Sequence, residues 1–228
     1  MALYVSGKKR LPTLTDLLDQ LATHSAIAQE LAQRSLEAIE ISKPTLNAFR
    51  VVLIESARAA SYTTPLLDTP IAIQDDVDVT EAPNDLGAER YMQPATHDAE
   101  VICHLKTADA VILGKTNTCE LGQWPFTIGP GLNIYLKFLF TLGRHQEDRP
   151  AVTRAAMAAA LVTAAIGSDS GRVRISAAWT HLVGIKPQHD RIFTWPLPEA
   201  FNGITVNGVL ACTVADTAFV LDRSIRQR

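Results

Sequence analysis

The chain has 228 residues and a formal net charge of −3, from 21 lysines and arginines against 24 aspartates and glutamates. A chain of this length buries about 70% of the surface that its unfolded form exposes, which is enough for one compact domain. Its charges are not collected into blocks of one sign, so the sequence predicts no binding to nucleic acid or to an anionic membrane. Small neutral ligands fit this charge balance better.

Cysteine usage and the apolar runs indicate the compartment. The cysteines Cys103, Cys119 and Cys212 are odd in number and have no telling spacing, which predicts a reducing compartment and hence the cytoplasm. Lys8-Lys9-Arg10 interrupts the first residues before a long apolar core forms, so no secretory signal is expected. The longest apolar run, Ala155 to Ile166, is too short for a membrane span of ~20 residues and predicts a buried helix.

The first part of the chain predicts helices. Leucines recur at helical spacing after Thr13, which caps the first turn: Leu14, Leu17, Leu18 and Leu21. A second helix is predicted over about 25–41 and a third from Leu46 to about Ala60, with Pro44 marking the break between them. We therefore expect a helical N-terminal arm over 13–60 that packs against a later sheet.

From Leu66 onward the pattern changes to short continuous apolar runs. Ile71–Ile73 and Ala110–Leu113 are typical of strands buried on both faces in a parallel sheet, and Asp98 to Thr107 predicts the crossover helix between them. Further strands are predicted at 183–185 and 203–206, with a final helix from Val214 to about Arg223. The sequence thus predicts an α/β core over 66–228 within a single domain, 1–228.

The run from Gly167 to Ile175 contains two glycines and two serines between an alanine-rich segment and an apolar one. Glycines let the backbone turn its N–H groups inward, which is how proteins build a hole for a developing oxyanion. Acyl transfer is therefore the first chemistry to consider. The alternative is an ordinary helix end, in which Gly167 follows the last helical residue and the serines turn the chain.

Four segments in the same order carry a resemblance to the amidase signature family. The run Gly167 to Ala178 resembles the family's serine loop, and His181 to Pro187 resembles its Gly-Val-Val-Gly-Leu-Lys-Pro continuation. Upstream, Pro70 to Asp78 is similar to the strand end that carries Lys-Asp, and Ala110 to Glu120 to the Gly-Lys-Thr-Asn segment. The resemblance spans roughly 14 to 222. It implies an amidase-signature-like fold: a largely parallel mixed sheet covered by helices, truncated because the family is about twice as long.

One interval departs from this resemblance. Between 133 and 153 the family carries an Asn-Pro-Trp segment and a Gly-Gly-Ser-Ser-Gly-Gly run, whereas here only Asn133 is recognisable. Ile134 to Phe140 is rich in β-formers and aromatics, and Gly143 to Arg149 is a charged cluster. A pattern lost abruptly between good matches suggests a reading frame that slips out and returns; a sequencing error and real divergence are the alternatives.

The mechanism that the resemblance implies is a Ser-Ser-Lys arrangement. A neutral lysine accepts a proton through a bridging serine, and the second serine attacks the amide carbonyl. In this chain the lysine falls on Gln74, the bridging serine on Arg149 in an uncertain register, and the nucleophile on Arg172. Neither glutamine nor arginine is a usable base or nucleophile near neutral pH. Ser170 is the possible substitute nucleophile.

The resemblance also implies the remaining parts of the site and the reaction. Gly167, Ser168, Asp169 and Gly171 are expected to form the loop that holds the oxyanion, with no metal and no cofactor. The implied reaction is hydrolysis of a small monocarboxylic acid amide to carboxylate and ammonia, impaired or absent because the three catalytic positions are lost. The alternatives are a non-catalytic remnant that binds the amide, the product of a decayed gene, and a hydrolase with another catalytic constellation.

Overall fold

The computed structural model describes residues 13–23, 28–44, 46–55, 69–88, 93–118, 156–157, 159–196 and 203–225. The helices among them are α1 (Leu14–Ala22), α2 (Ala28–Ser42), α3 (Glu100–Thr107), α4 (Arg172–Trp179) and α5 (Val214–Ser224). The strands are β1 (Phe49–Val52), β2 (Pro70–Gln74), β3 (Val111–Thr116), β4 (Ala164–Asp169), β5 (Val183–Ile185) and β6 (Val206–Ala211).

The strands form one mixed sheet in the order β1-β3-β2-β4-β6-β5. The two central pairings, β3 with β2 and β2 with β4, are parallel, and the three outer pairings are antiparallel. The predicted α/β class and mixed sheet are confirmed. The expectation of a largely parallel sheet was too strong, because β6 returns antiparallel beside β4 and carries β5 with it.

Helices cover both faces of this sheet. On one face, here called the α2 face, α2 and α4 bury side chains that include Ile39, Val173 and Ala177 against Ala72 and Ala165. On the other, the α3 face, α1, α3 and α5 bury Leu14, Ile102 and Val220 against Ile73 and Ile166. Alternate residues of β2 and β4 therefore belong to opposite cores, which decides the direction of the polar side chains at their ends.

Several of the predicted helices and strands are confirmed. Helix α1 starts where Thr13 was predicted to cap it: the Thr13 hydroxyl accepts from the Asp16 N–H, and the Asp16 carboxylate accepts from the Thr13 N–H. The β2-α3-β3 unit is present with β2 and β3 parallel. The strand predicted at 183–185 is β5, and α5 lies within one residue of the final helix predicted.

The helix predicted from Leu46 is wrong over the described residues that form β1. Phe49–Val52 is an edge strand paired with β3, with Phe49 opposite Thr116. Phenylalanine and two valines in four residues favour the pleated conformation, and pairing with β3 outweighs the helical spacing that suggested otherwise. The N-terminal arm thus supplies one strand of the sheet.

The buried helix predicted over Ala155–Ile166 is wrong at its second half, because Ala164–Ile166 begins β4. A short apolar run fits a buried helix and a buried strand equally well. Here the segment forms a strand because it pairs with β2 on one side and β6 on the other. Gly167 consequently lies inside β4 and does not end a helix. The strand predicted at 203–206 begins only at Val206.

An irregularity in β3 reverses the facing of its last residues. Ile71 lies opposite Ile112 but Ala72 lies opposite Gly114, so Leu113 is skipped in the pairing with β2. A Cβ added at Gly114 would lie 2.2 Å from the Val51 carbonyl oxygen, so this close approach of β1 requires glycine. After the irregularity Lys115 lies opposite Ile73 and shares its α3 face.

Candidate active site

The candidate site lies where the parallel strands β2 and β4 end side by side. Gln74, the last residue of β2, is 6% exposed. Its Nε2 donates to the Thr118 hydroxyl at 2.7 Å and lies 3.4 Å from Asp76 Oδ2. A Cβ added at Gly167 would lie 2.2 Å from Gln74 Oε1, so the glutamine fills the space that a larger residue would need. The carboxyl ends of the two strands thus form one buried polar cluster.

Asp76 joins the two strand ends. Its Oδ2 accepts from the Ser168 hydroxyl of β4 as well as from Gln74 of β2, and all three residues are buried. Hydrogen bonds to a carboxylate are stronger than those between neutral groups, so this one side chain orients the polar groups from both strands.

Asp169 organises the turn from β4 into α4. Its fully buried carboxylate accepts through Oδ1 from the Gly171 N–H at 2.5 Å and the Val173 N–H at 3.3 Å. Its Oδ2 accepts from Arg174 Nε at 3.1 Å. A negative charge at a helix N-terminus is favourable because unpaired N–H groups point out of it. Gly171 has φ +130°, which favours glycine.

The structure brings some predicted site residues together and leaves others undetermined. Gln74, Gly167, Ser168 and Asp169 meet at the ends of β2 and β4, and Ser170 and Gly171 link β4 to α4. Arg172 is the first residue of α4, but its side chain is outside the described part. Arg149, Cys119 and the interval 133–153 also lie outside the described residues.

Ser170 and Lys115 form no hydrogen bond with each other in the described residues. There the Ser170 side chain has no hydrogen-bond partner. Lys115 is fully buried on the α3 face, whereas Gln74 lies on the α2 face with Ala72. Its Nζ donates to the Pro83 carbonyl at 2.7 Å and lies 3.7 Å from Asp75 Oδ1.

Burial changes the proton affinity of both members of this pair. It lowers the pKa of Lys115, which the Asp75 carboxylate opposes, and it raises the pKa of Asp75, which the Gly87 N–H and Lys115 oppose. Both groups are shielded from water on the α3 face of the sheet.

Two members of the cluster were not predicted as site residues, Asp76 and Thr118. Asp76 comes two residues after Gln74, and Thr118 comes two residues after β3. The carboxyl ends of neighbouring parallel strands meet at one edge of a sheet, so the polar residues that follow β2, β3 and β4 were the available signal.

The described residues contain neither a metal-binding cluster nor a membrane-spanning helix. No group of three or more histidines, cysteines, aspartates and glutamates there is arranged to hold a metal ion. No helix in the same part of the chain has both the length and the apolar character needed to cross a membrane.

Comparison with known proteins shows similarity over nearly the whole chain. A family model described as Amidase matches residues 30–133 and 154–228, with an interruption where the sequence pattern was lost. "Putative amidase AmiA2" of Mycobacterium tuberculosis is 60% identical, over 95% of this chain and 47% of the relative. "Putative amidase AmiB2" of the same organism is 39% identical, over 89% of this chain and 46% of the relative.

The similarity extends to solved structures. That of 6-aminohexanoate cyclic dimer hydrolase superposes with a TM-score of 0.82 at 27% identity, covering 97% of this chain and 48% of that one. The chain spans about half the length of the curated relatives it matches. Because the family model covers most of its residues, the chain belongs to the amidase family.

Proposed function

We propose that this chain is a member of the amidase family in which hydrolysis of a small monocarboxylic acid amide is severely impaired or absent. The observation that carries the proposal is the place of Gln74, whose side-chain amide donates to Thr118 and Asp76 where the resemblance puts the catalytic lysine. An amide group does not take up a proton near neutral pH, so it cannot serve as the base.

The amide groups of the loop support the same conclusion. The N–H groups of Gly171 and Val173 both donate to Asp169 Oδ1. An oxyanion hole works through N–H groups already aimed at the position where negative charge develops. Here two of these donors at the start of α4 point at the chain's own carboxylate, so they are not available to a substrate in this conformation.

The substrate class comes from the relatives. The neighbour of known structure is named a hydrolase of 6-aminohexanoate cyclic dimer, and the curated relatives are named amidases. An amide is therefore the ligand that the ancestral site would have taken. A non-catalytic remnant that still binds the amide is the alternative, favoured by the buried polar cluster around Asp76.

The odd number of cysteines, three, supports a cytoplasmic location, which we propose along with the function.

The direct test is ammonia release by the purified chain over a panel of small aliphatic and aromatic amides. The Ser170→Ala variant is measured beside the wild type, with Ser42→Ala as the matched control because its hydroxyl bonds to the Ile39 carbonyl at the end of α2. We expect all three proteins to release ammonia at the rate of buffer. Release above buffer that Ser170→Ala abolishes and Ser42→Ala keeps would overturn the proposal.

Binding and unfolding measurements separate the alternatives. Calorimetric binding of an amide without turnover favours the non-catalytic binding protein. A cooperative thermal transition without either binding or turnover favours a folded remnant. A broad, non-cooperative transition favours the product of a decayed gene, since an unpaired buried charge at Arg149 or Arg172 would cost several kcal/mol.

Restoring the lysine alone is a second test. Gln74→Lys places a titratable amine beside Asp76, but Arg172 still carries no hydroxyl, so we expect no gain in ammonia release. Turnover by this single variant would show that a serine other than the family's nucleophile acts, and Ser170 would then be the first to substitute.

A further inference from the structure

A buried ammonium group lies beneath the end of β2, on the sheet face opposite the candidate site. The irregularity at Gly114 turns Lys115 toward the α3 face, where its side chain is fully buried. Without that irregularity Lys115 would share the α2 face with Leu113, because strand residues two apart point the same way. The close approach of β1 at Gly114 thus directs the Lys115 side chain.

Lys115 contacts the segment that follows β2. Its Nζ donates to the Pro83 carbonyl at 2.7 Å and lies 3.7 Å from Asp75 Oδ1. Asp75 Oδ2 accepts from the Gly87 N–H at 3.0 Å, whereas the buried Oδ1 has no hydrogen-bond partner in the described part of the chain and has the Lys115 ammonium as its charged neighbour. The lysine and the aspartate are both inaccessible to solvent.

A second cation ties the same segment to the sheet from the neighbouring strand. Arg50 of β1 forms an ion pair with Asp85 at 2.6 Å and donates to the Ala88 carbonyl at 2.9 Å. The side chains of β1 and β3 therefore hold the segment against the sheet edge. Arg50 is partly exposed, whereas Lys115 is the cation enclosed beside Asp75.

Asp75 lies between the two residues that matter at the candidate site. Gln74 precedes it, and Asp76, which accepts from Ser168 and Gln74, follows it. The Asp75 N–H donates to the Thr116 carbonyl at 3.1 Å, so the backbone at this point is still held by β3. Loss of Lys115 would leave a buried carboxylate without its cation, and such a group either takes up a proton or moves toward water. Movement of the Asp75 carboxylate toward water would displace the backbone of Asp75 and therefore of Asp76, which follows it.

We propose that Lys115 is a positioning residue for the candidate active site: by neutralising Asp75 from the far face, it holds Asp76 against Ser168 and Gln74. The proposal takes the location of the site from the proposed function. Its readout is the geometry at Gln74, which does not depend on amide turnover, so the two proposals fail independently.

The test follows the Gln74 side-chain NH₂ signals in ¹⁵N NMR spectra, assigned by their loss in Gln74→Ala. Lys115→Met removes the charge and keeps the length of the side chain. The matched control is Lys106→Met, which breaks the ion pair of Lys106 with Asp98 (2.6 Å) on α3. We expect Lys115→Met to shift the Gln74 signals and Lys106→Met to leave them in place.

A neutral pair separates positioning through charge from simple packing. In Asp75→Asn/Lys115→Met the carboxylate and its cation are both removed, while an oxygen remains to accept from the Gly87 N–H. We expect this double variant to return the Gln74 signals at least halfway to their wild-type positions. If the lysine stem acts only by filling space, the Gln74 signals of the double variant will lie as far from their wild-type positions as those of Lys115→Met. That result would overturn the proposal.

The test remains decisive if Lys115→Met does not fold. Asp75→Asn keeps the lysine and its bond to the Pro83 carbonyl, and we expect a smaller shift of the Gln74 signals in that variant. Unchanged Gln74 signals in a folded Asp75→Asn protein, or in a folded Lys115→Met protein, would also overturn the proposal.

Discussion

At the scale of the residue, the candidate site is defined by how closely Gln74 fits against its neighbours. Gly167 leaves the space that Gln74 Oε1 occupies, and Thr118 and Asp76 use both hydrogens of the Gln74 amide. A side chain enclosed in this way is held by specific partners and is not a loosely packed replacement.

The contact between Gln74 and Gly167 predicts a coupled pair of substitutions. Gly167→Ala should destabilise the protein by about 1–3 kcal/mol, because the new Cβ would lie 2.2 Å from Gln74 Oε1. In Gln74→Ala/Gly167→Ala that contact is absent, so the double variant should be more stable than the sum of the single effects by about 1 kcal/mol. Urea unfolding of the four proteins measures this coupling, and additive losses would contradict it.

Asp75 predicts a dependence of stability on pH with a definite sign. Burial raises the pKa of Asp75 above the ordinary 3.8. At pH values between 3.8 and the raised pKa, the native chain therefore binds the proton more tightly than the unfolded chain. The stability of the wild type relative to Asp75→Asn should therefore be highest below 3.8 and fall as the pH rises through the raised pKa.

Asp98 provides the control of opposite sign. Burial acts to raise its pKa, but hydrogen bonds from Lys106 and Thr80 outweigh this and lower it. The wild type should be more stable than Asp98→Asn above pH 3.8, and this advantage should be lost as the pH falls through the lowered pKa of Asp98. Urea unfolding over about pH 3 to 7 tests both, and two slopes of the same sign would contradict the assignment.

At the scale of the element, distant helices are joined through their N-termini. Asp216 in the first turn of α5 accepts through Oδ1 from the Thr15 N–H at 3.0 Å and the Thr15 hydroxyl at 2.6 Å, at the start of α1. Thr213 caps α5 by accepting from the Asp216 N–H. The Asp216 carboxylate in the first turn of α5 thus accepts from an N–H group at the start of α1, while the start of α5 is capped by Thr213.

This joint predicts a graded loss of stability. Asp216→Ala should cost about 1–3 kcal/mol, because it removes a charged acceptor from two donors of α1. Thr15→Val should cost less, since the Thr15 N–H still reaches Asp216. The exposed Asp19 of α1 supplies the control, and Asp19→Ala should change the free energy of unfolding by less than about 0.5 kcal/mol. Equal changes in the free energy of unfolding for the Asp216 and Asp19 variants would show that the bonds from Thr15 to Asp216 do not stabilise the protein.

The elements also show how far sequence patterns reach. The β2-α3-β3 unit was predicted because its strands are continuous apolar runs with a helix between them. Patterns of this kind lie within each segment and do not depend on distant partners. In contrast β1 and β4 were mistaken for helices, because segments of four and six residues are too short to show a distinctive period, and pairing with neighbouring strands decides their conformation.

At the scale of the whole molecule, the chain matches the amidase family on both sides of one interruption. The family model covers 30–133 and 154–228 and leaves out the interval between them, which contains no glycine- and serine-rich run. Substitution by drift changes residues one at a time, whereas a slipped reading frame replaces a whole interval and leaves its flanks intact. The sharp limits of the interruption favour the second cause.

The reading-frame hypothesis predicts what the gene contains. One of the two alternative frames over codons 133 to 153 should encode a peptide rich in glycine and serine, with a serine able to fill the bridging position. Independent resequencing of the gene and translation in all three frames measures this directly. If neither alternative frame encodes such a peptide, the interval diverged by substitution and the hypothesis is wrong.

The sequence by itself determined the family and the β2-α3-β3 unit, because these depend on residue identity and local pattern. The proposal that Gln74 is no base also depends on residue identity alone, because a side-chain amide takes up no proton near neutral pH. Only the tertiary structure decided that Asp76 joins Ser168 to Gln74, that Asp169 takes up the N–H groups of the loop, and that Lys115 faces away from the site. These depend on strand order, register and the irregularity at Gly114, which arise from the pairing of segments distant in sequence and leave no local pattern to read.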